Sequence, residues 1–125
     1  MAQQTVHSVK VRSYSSGTPG RAICQARNHH WIADDAAYNG GPGEELGAGE
    51  LFFSGLTACA VNMVERVARE GEIPLVRMDV SVEGIRDTGI PSSVPAVYQK
   101  VSLNFELVGP NQAQGQELVD YYKTH

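Results

Sequence analysis

One of the two cysteines in this 125-residue chain stands in an unusual setting for chemistry. Cys59 lies in the run Glu50-Leu-Phe-Phe-Ser-Gly-Leu-Thr-Ala-Cys-Ala-Val-Asn-Met-Val64, which reads as one helix. Phe52, Leu56, Cys59, Met63 and Val67 recur at spacings of four, three, four and four, so the sulfur is expected on the most apolar stripe, facing inward. A thiol so placed is ordinarily a small hydrophobe. To act as a nucleophile it must become a thiolate, and desolvation raises a thiol pKa, so a positive group has to reach it. The helix dipole is a poor source, because Cys59 follows Glu50 by nine residues and the dipole acts mainly on the first turn.

A strand can supply the cation. Arg21, Ile23, Gln25 and Arg27 share one face of an expected strand by its period of two, opposite Ala22, Cys24 and Ala26. Arg21 and Arg27 are both candidates, since a guanidinium stays charged and holds a departing oxygen through forked hydrogen bonds. Either could equally be a solvated strand charge. Glu50 is the expected carboxylate that orients the arginine, the competing reading being a helix N-terminal acid favoured by the macrodipole. Cys24 reads as buried packing. His29 and His30 with Asp34 and Asp35 do not make a metal site, because adjacent strand residues face opposite sides and no third ligand follows at a useful spacing. His29 is expected to pack or hydrogen-bond near the site, while Trp31, Phe52 and Phe53 are core residues of which one could line a pocket.

These side chains need a scaffold. The first fifteen residues and residues 21–26 flank the turn-rich Ser15-Ser-Gly-Thr-Pro-Gly20 and read as a hairpin, with a third strand at residues 29–33. Residues 36–49 hold five glycines and a proline and are expected to form a loop that runs close to other backbone. The helix is expected over residues 50–70, stopped by Gly71 with Pro74 beyond. Val76, Met78, Val80 and Val82, and then Val101, Leu103, Phe105 and Leu107, alternate with polar residues as half-buried antiparallel strands do. Residues 86–95 read as a loop and residues 112–125 as a helix with Leu118, Val119 and Tyr122 inward. The order is β-β-β-α-β-β-α, an α+β domain spanning residues 1–125, with a curved antiparallel sheet laid on a central apolar helix. That helix is too apolar around its circumference for one sheet to cover, which implies a second layer.

Composition excludes several classes. Ten Lys and Arg against fourteen Asp and Glu give a net charge of −4, with no basic cluster to displace phosphate counterions, so nucleic acid is not a partner. The longest mostly apolar run, residues 51–64, is too short to span a bilayer, and no signal segment opens the chain. A cytoplasmic protein without membrane partner, metal or other cofactor is expected. Two cysteines do not make a disulfide scaffold.

The segment His29-His-Trp-Ile-Ala-Asp34, the loop Gly40-Gly41-Pro42, Glu50-Leu51 and Cys59 resemble the OsmC/Ohr family of osmotically inducible and organic-hydroperoxide-resistance proteins. Residues 72–84 and 98–110 also look like family strands, so the resemblance covers nearly the whole chain. It implies an intertwined homodimer with active sites at the subunit boundary, and a reactive Cys59 that reduces small hydroperoxides and is recycled by a thiol reductant. Arg21 follows the hairpin turn, where the family's peroxidase branch carries its catalytic arginine. Two departures bear on mechanism. Gly49 occupies the position ten before the cysteine where that branch has Glu, as in the broader OsmC-like branch. The family's second cysteine would follow the last helix, where this chain reads Tyr121-Tyr-Lys-Thr-His125, so resolution is expected from an external thiol, with Cys24 the possible resolving thiol within the chain. The rival reading is a dimeric binding module that holds a small hydrophobic or thiol-reactive ligand in the same pocket without turnover.

Overall fold

A computed structural model describes residues 5–86 and 98–125. The elements follow the expected order: β1 (Arg12–Ser15), β2 (Arg21–Ala26), β3 (His29–Asp34), a short 3-10 turn at Ala37–Asn39, α1 (Ala48–Glu70), β4 (Arg77–Ile85), β5 (Lys100–Val108) and α2 (Gln112–Thr124). The α+β class and antiparallel pairing hold. Where one curved sheet was expected, the described residues form two, β1-β2-β3 and β4-β5. The first strand is also shorter than expected, pairing from Arg12 onward. From residue 87, the expected loop at residues 86–95 lies outside the described residues. Contacts group the chain into two compact units, Met1–Phe52 and Phe53–His125, with the boundary inside α1.

In the first unit, β2 and β3 form a hairpin with a two-residue turn, since Ala26 pairs with His29. Arg27 therefore leaves the strand. It begins the turn with φ 55°, a left-handed conformation that costs a residue with a Cβ, and it does not share the β2 face with Arg21 as strand parity suggested. The glycine-rich loop packs tightly, as its composition implied: a Cβ on Gly41 would strike the Asp35 carbonyl oxygen, and one on Gly20 would come within 2.8 Å of the Gly41 Cα.

In the second unit, Val64 and Ala68 of α1 close on Leu118 of α2, with Val67, Met78 and Leu107 packed around them. The alternation read from β4 and β5 is present from Met78 to Gly84 and from Leu103 to Leu107, half-buried between exposed neighbours, whereas Val76 and Val101, expected on the same faces, are exposed. The inward face of α1 is nevertheless not the expected stripe. Ala60, Val64 and Ala68, four apart, are the buried positions, and Cys59 and Phe52 are exposed in the protomer. The reason is geometric: one residue along an α-helix turns the side chain through about 100°, so Cys59 points away from the line of Ala60, Val64 and Ala68. Of the expected stripe, Phe52 and Cys59 are exposed, Leu56 and Met63 are half-buried, and Val67 packs against the core. At 23 residues α1 is long and apolar enough to cross a membrane by length and composition, which corrects the shorter run read from sequence. Its second half packs on Leu118, and Glu65, Arg66, Arg69 and Glu70 stand in its last two turns.

Both ends of α1 are closed by its own sequence. Leu51 N–H donates to the Gly47 carbonyl at 3.1 Å and Gly47 N–H donates to Glu50 Oε1 at 3.0 Å, so Glu50 reaches back over the first turn as the acidic half of a capping box does. At the far end Ile73 N–H donates to Ala68 O at 2.8 Å and Glu72 N–H to Arg69 O at 3.3 Å, the two bonds of a Schellman closure. The left-handed position falls on Glu72, φ 54°, one residue beyond the glycine that sequence designated.

Candidate functional site

Arg21 and Asp34 are register partners across the β2–β3 hairpin. The guanidinium meets the carboxylate through two parallel bonds, Nε to Oδ1 at 2.7 Å and Nη2 to Oδ2 at 2.8 Å. Oδ2 also accepts the backbone N–H groups of Glu44 and Glu45 at 3.0 and 2.9 Å, so one carboxylate fixes both the arginine and the end of the glycine-rich loop. Asp34 is 4% exposed, and its own N–H donates to the Leu46 carbonyl at 2.9 Å. Because an aspartate buried without partners would be costly, four donors on two oxygens explain how it is tolerated here.

The same bonds set the electrostatics. The Arg21 hydrogen bonds hold the Asp34 carboxyl far below the usual carboxylate range, against the opposing pull of burial and with help from the Glu45 and Glu44 N–H groups. Arg21 is in turn pushed above its already high value, chiefly by its hydrogen bonds to Asp34. Glu44 Oε1 stands 3.6 Å from Nη2 as a second, solvent-exposed counter-charge. The arginine side chain remains 24% exposed and lines a cavity of about 450 Å³ together with Asp35, Ala22, Ala33 and Ala48. A guanidinium so held is a fixed, permanently charged hydrogen-bond donor at a cavity wall.

The sequence-nominated residues distribute as follows. Arg21 is at the cavity, held by Asp34 and not by Glu50, whose carboxylate caps α1. Arg27 is an exposed turn residue whose carbonyl accepts from the Gln25 side chain at 3.3 Å. Cys59 is a free thiol on the open face of α1. Cys24 is a free thiol, buried as expected for packing, opposite Trp31 in the hairpin. His29 is exposed, and it is His30 and Trp31 that line a larger, mainly apolar cavity of about 610 Å³ with Ile23, Leu46 and Leu51. Phe52 is 71% exposed, and Phe53 packs on Tyr98 with ring centres 4.9 Å apart and the rings tilted by 58°, its ring covering Gly84. Among the described residues no three His, Cys, Asp or Glu side chains converge as metal ligands.

Asp34 is the residue that sequence reasoning left without a role. The signal was available in the hairpin. With a two-residue turn between Ala26 and His29, five steps back along β2 and five forward along β3 bring Arg21 opposite Asp34. Extending β2 to Arg27 hid that register.

No family sequence model and no curated protein matches this chain. Solved structures do. An OsmC-like protein from Mycoplasma pneumoniae superposes with a TM-score of 0.78 at 17% identity, over 92% of this chain and 79% of that one. An organic hydroperoxide resistance protein OsmC from Legionella pneumophila, described as a predicted redox protein and regulator of sulfide bond formation, gives 0.70 at 18% identity over 94% and 82%. A Vibrio cholerae protein assigned to organic hydroperoxide resistance, solved with captopril bound in one of its active sites, gives 0.62 at 20% identity over 97% and 81%. Likeness this extensive at such low identity is likeness of architecture, and the chain has the OsmC-like fold.

Proposed function

We propose that the chain is a cysteine-based hydroperoxide reductase, working as a cytoplasmic homodimer with an external thiol as reductant and no bound cofactor. The observation that carries this reading is the Arg21–Asp34 pair, a pre-oriented cationic donor of the kind a departing oxygen needs, in a fold whose Legionella and Vibrio neighbours are named for organic hydroperoxide resistance. In the proposed reaction the Cys59 thiolate attacks the distal oxygen of the hydroperoxide. The S–O bond forms as the O–O bond breaks, and the sulfur is oxidised to a sulfenic acid while the peroxide is reduced by two electrons. The alkoxide departs against the Arg21 guanidinium and takes a proton from solvent. Two equivalents of an external thiol then return the sulfenic acid to the thiol, releasing water and a disulfide. Cys24, itself buried, is the alternative resolving thiol.

The homodimer is supported by the exposed Phe52 and Cys59 of α1 beside the half-buried Leu56 and Met63. These would leave water against a second copy, and the thiol would then sit in the desolvated setting that makes its activation by a cation necessary. Activation is directly measurable. In a Cys24→Ala background Cys59 should be alkylated faster with Arg21 present than in Arg21→Ala, and equal rates remove the catalytic role.

The second reading is a dimeric binding module, favoured by the mainly apolar cavity of about 610 Å³ over Trp31, Leu46 and Leu51. It predicts saturable binding of a small apolar ligand with no oxidation of Cys59.

A further inference from the structure

Asn39 ends the short 3-10 turn after β3 and Gly40 caps it, and together they form the one Asn-Gly pair in the chain. The other four asparagines, Asn28, Asn62, Asn104 and Asn111, precede His29, Met63, Phe105 and Gln112, each of which carries a Cβ. That difference is chemical. A backbone amide nitrogen can attack the side-chain carbonyl carbon of the asparagine before it, and glycine leaves that approach unhindered. Asn39 and Gly40 are both exposed, and among the described residues no atom stands within 4 Å of where a Cβ on Gly40 would sit.

Two hydrogen bonds oppose the attack. The Gly40 N–H donates to the Ala37 carbonyl at 3.0 Å, so the attacking nitrogen is occupied, and Asn39 Nδ2 donates to Asp35 Oδ1 at 3.0 Å, so the amide under attack is held toward Asp35. Asp35 is itself fixed. Its N–H donates to the Gly20 carbonyl at 2.7 Å, its carbonyl accepts from the Gly43 N–H at 3.0 Å, and Oδ1 accepts the Ala36 N–H at 3.0 Å as well.

We propose that Asn39 is a modification site, converted by spontaneous deamidation through the Gly40 nitrogen, and that Asp35 is the residue that restrains the conversion. The Gly40 nitrogen gives its proton to solvent and bonds to Asn39 Cγ, while the Cγ–Nδ2 bond breaks and ammonia leaves with a proton taken from water. Water then opens the cyclic imide at either carbonyl, which restores the N–H and yields aspartate or isoaspartate with no change of oxidation state. The aspartate product sets an oxygen where Nδ2 had donated to Asp35, so an attraction becomes a repulsion between like charges. Isoaspartate adds a methylene to the backbone just ahead of Gly41, where Asp35 leaves no room even for a Cβ. Either product loosens the turn beside the Arg21 cavity, which Asp35 lines. None of this depends on the peroxide chemistry.

The test ages the full chain in warm, mildly alkaline buffer, folded and in denaturant, and follows its five asparagines by peptide map. Asn39 should convert first in both conditions and give both isomers, but more slowly in the folded chain. Asp35→Ala should speed the folded conversion by about threefold, the factor that one exposed hydrogen bond carries, whereas Asp35→Asn, which keeps an acceptor oxygen, should stay near the native rate. Aspartate as the sole product would mean direct hydrolysis and would overturn the Gly40 route. Conversion of Asn39 no faster than that of the other asparagines removes the site. A folded rate equal to the denatured one, or an Asp35→Ala rate equal to the native one, overturns the restraint. The first of these comparisons uses the unsubstituted chain, so the restraint is exposed to failure even if Asp35→Ala does not fold.

Discussion

Arg21 on β2 and Asp34 on β3 face each other across the hairpin and close a bidentate ion pair whose carboxylate also binds the backbone of Glu44 and Glu45. One side chain therefore controls two things that a site at this wall requires: the direction of the guanidinium and the closure of the loop that leads into α1.

Replacing Asp34→Asn should test both roles at once. The amide can accept at one position only, so Nε or Nη2 of Arg21 and the two loop N–H groups compete for fewer acceptors. The expected outcome is a lower melting temperature and faster amide exchange at Glu44 and Glu45, together with slower oxidation of Cys59 by cumene hydroperoxide. Unchanged exchange at those two amides would show that the loop is held by something else.

The pH dependence of stability follows from the direction of the Asp34 shift. Its folded pKa lies below the unfolded value of about 3.9, so the pair stabilises the fold fully at neutral pH and loses that contribution progressively as pH falls below about 4 and the carboxylate is protonated. Denaturant midpoints for the native chain and the Asp34→Asn variant should differ at pH 7 and converge in strong acid. A gap that stays constant down to pH 2 would contradict this assignment.

A strain prediction concerns the end of α1. Glu72 occupies the left-handed position of the Schellman closure with no hydrogen bond from its side chain to offset the conformation among the described bonds. Glu72→Gly should raise stability by about 1 kcal/mol, since glycine adopts positive φ without the Cβ clash. Chemical denaturation measures it directly, and a loss of stability would mean the Glu72 side chain matters in another way.

The dimer makes a separate prediction from the same helix. Light scattering should give twice the 13.5 kDa chain mass at micromolar concentration. Phe52→Glu, at a position 71% exposed in the protomer, should shift the mass toward one chain while circular dichroism keeps its helical signal. Phe53→Asp should instead unfold the chain, because that ring packs on Tyr98 and Gly84. A native chain that sedimented as a stable monomer would remove the subunit-boundary site.

The architecture was legible wherever a residue pattern has a single physical reading. Alternation at residues 78–84 and 103–107 defines the half-buried faces of β4 and β5, and the helix read over residues 112–125 forms as α2 with Leu118 buried. Legibility ended where two readings share one pattern. The α1 helix carries two apolar rows, and only tertiary packing decides that Val64 and Ala68 meet Leu118 while Cys59 and Phe52 stay exposed. Arg27 satisfied strand parity, yet the shortest turn that closes the hairpin consumed it. Glu50 had two possible duties, and its nearest donor proved to be the Gly47 N–H at its own helix end. The carboxylate for Arg21 was hidden for the same reason as the turn, since register is set by the loop and not by composition.

The central claim is that Cys59 is a peroxide-reducing thiolate served by Arg21. Intact mass after brief exposure to one equivalent of cumene hydroperoxide should show one added oxygen per chain, trapped at Cys59 by a sulfenic-acid reagent, reversed by dithiothreitol, and formed much more slowly in Arg21→Ala. A Cys24–Cys59 disulfide in place of the added oxygen would keep the chemistry and make Cys24 the resolving thiol. No oxidation of Cys59, or oxidation at the same rate in Arg21→Ala, would contradict the account.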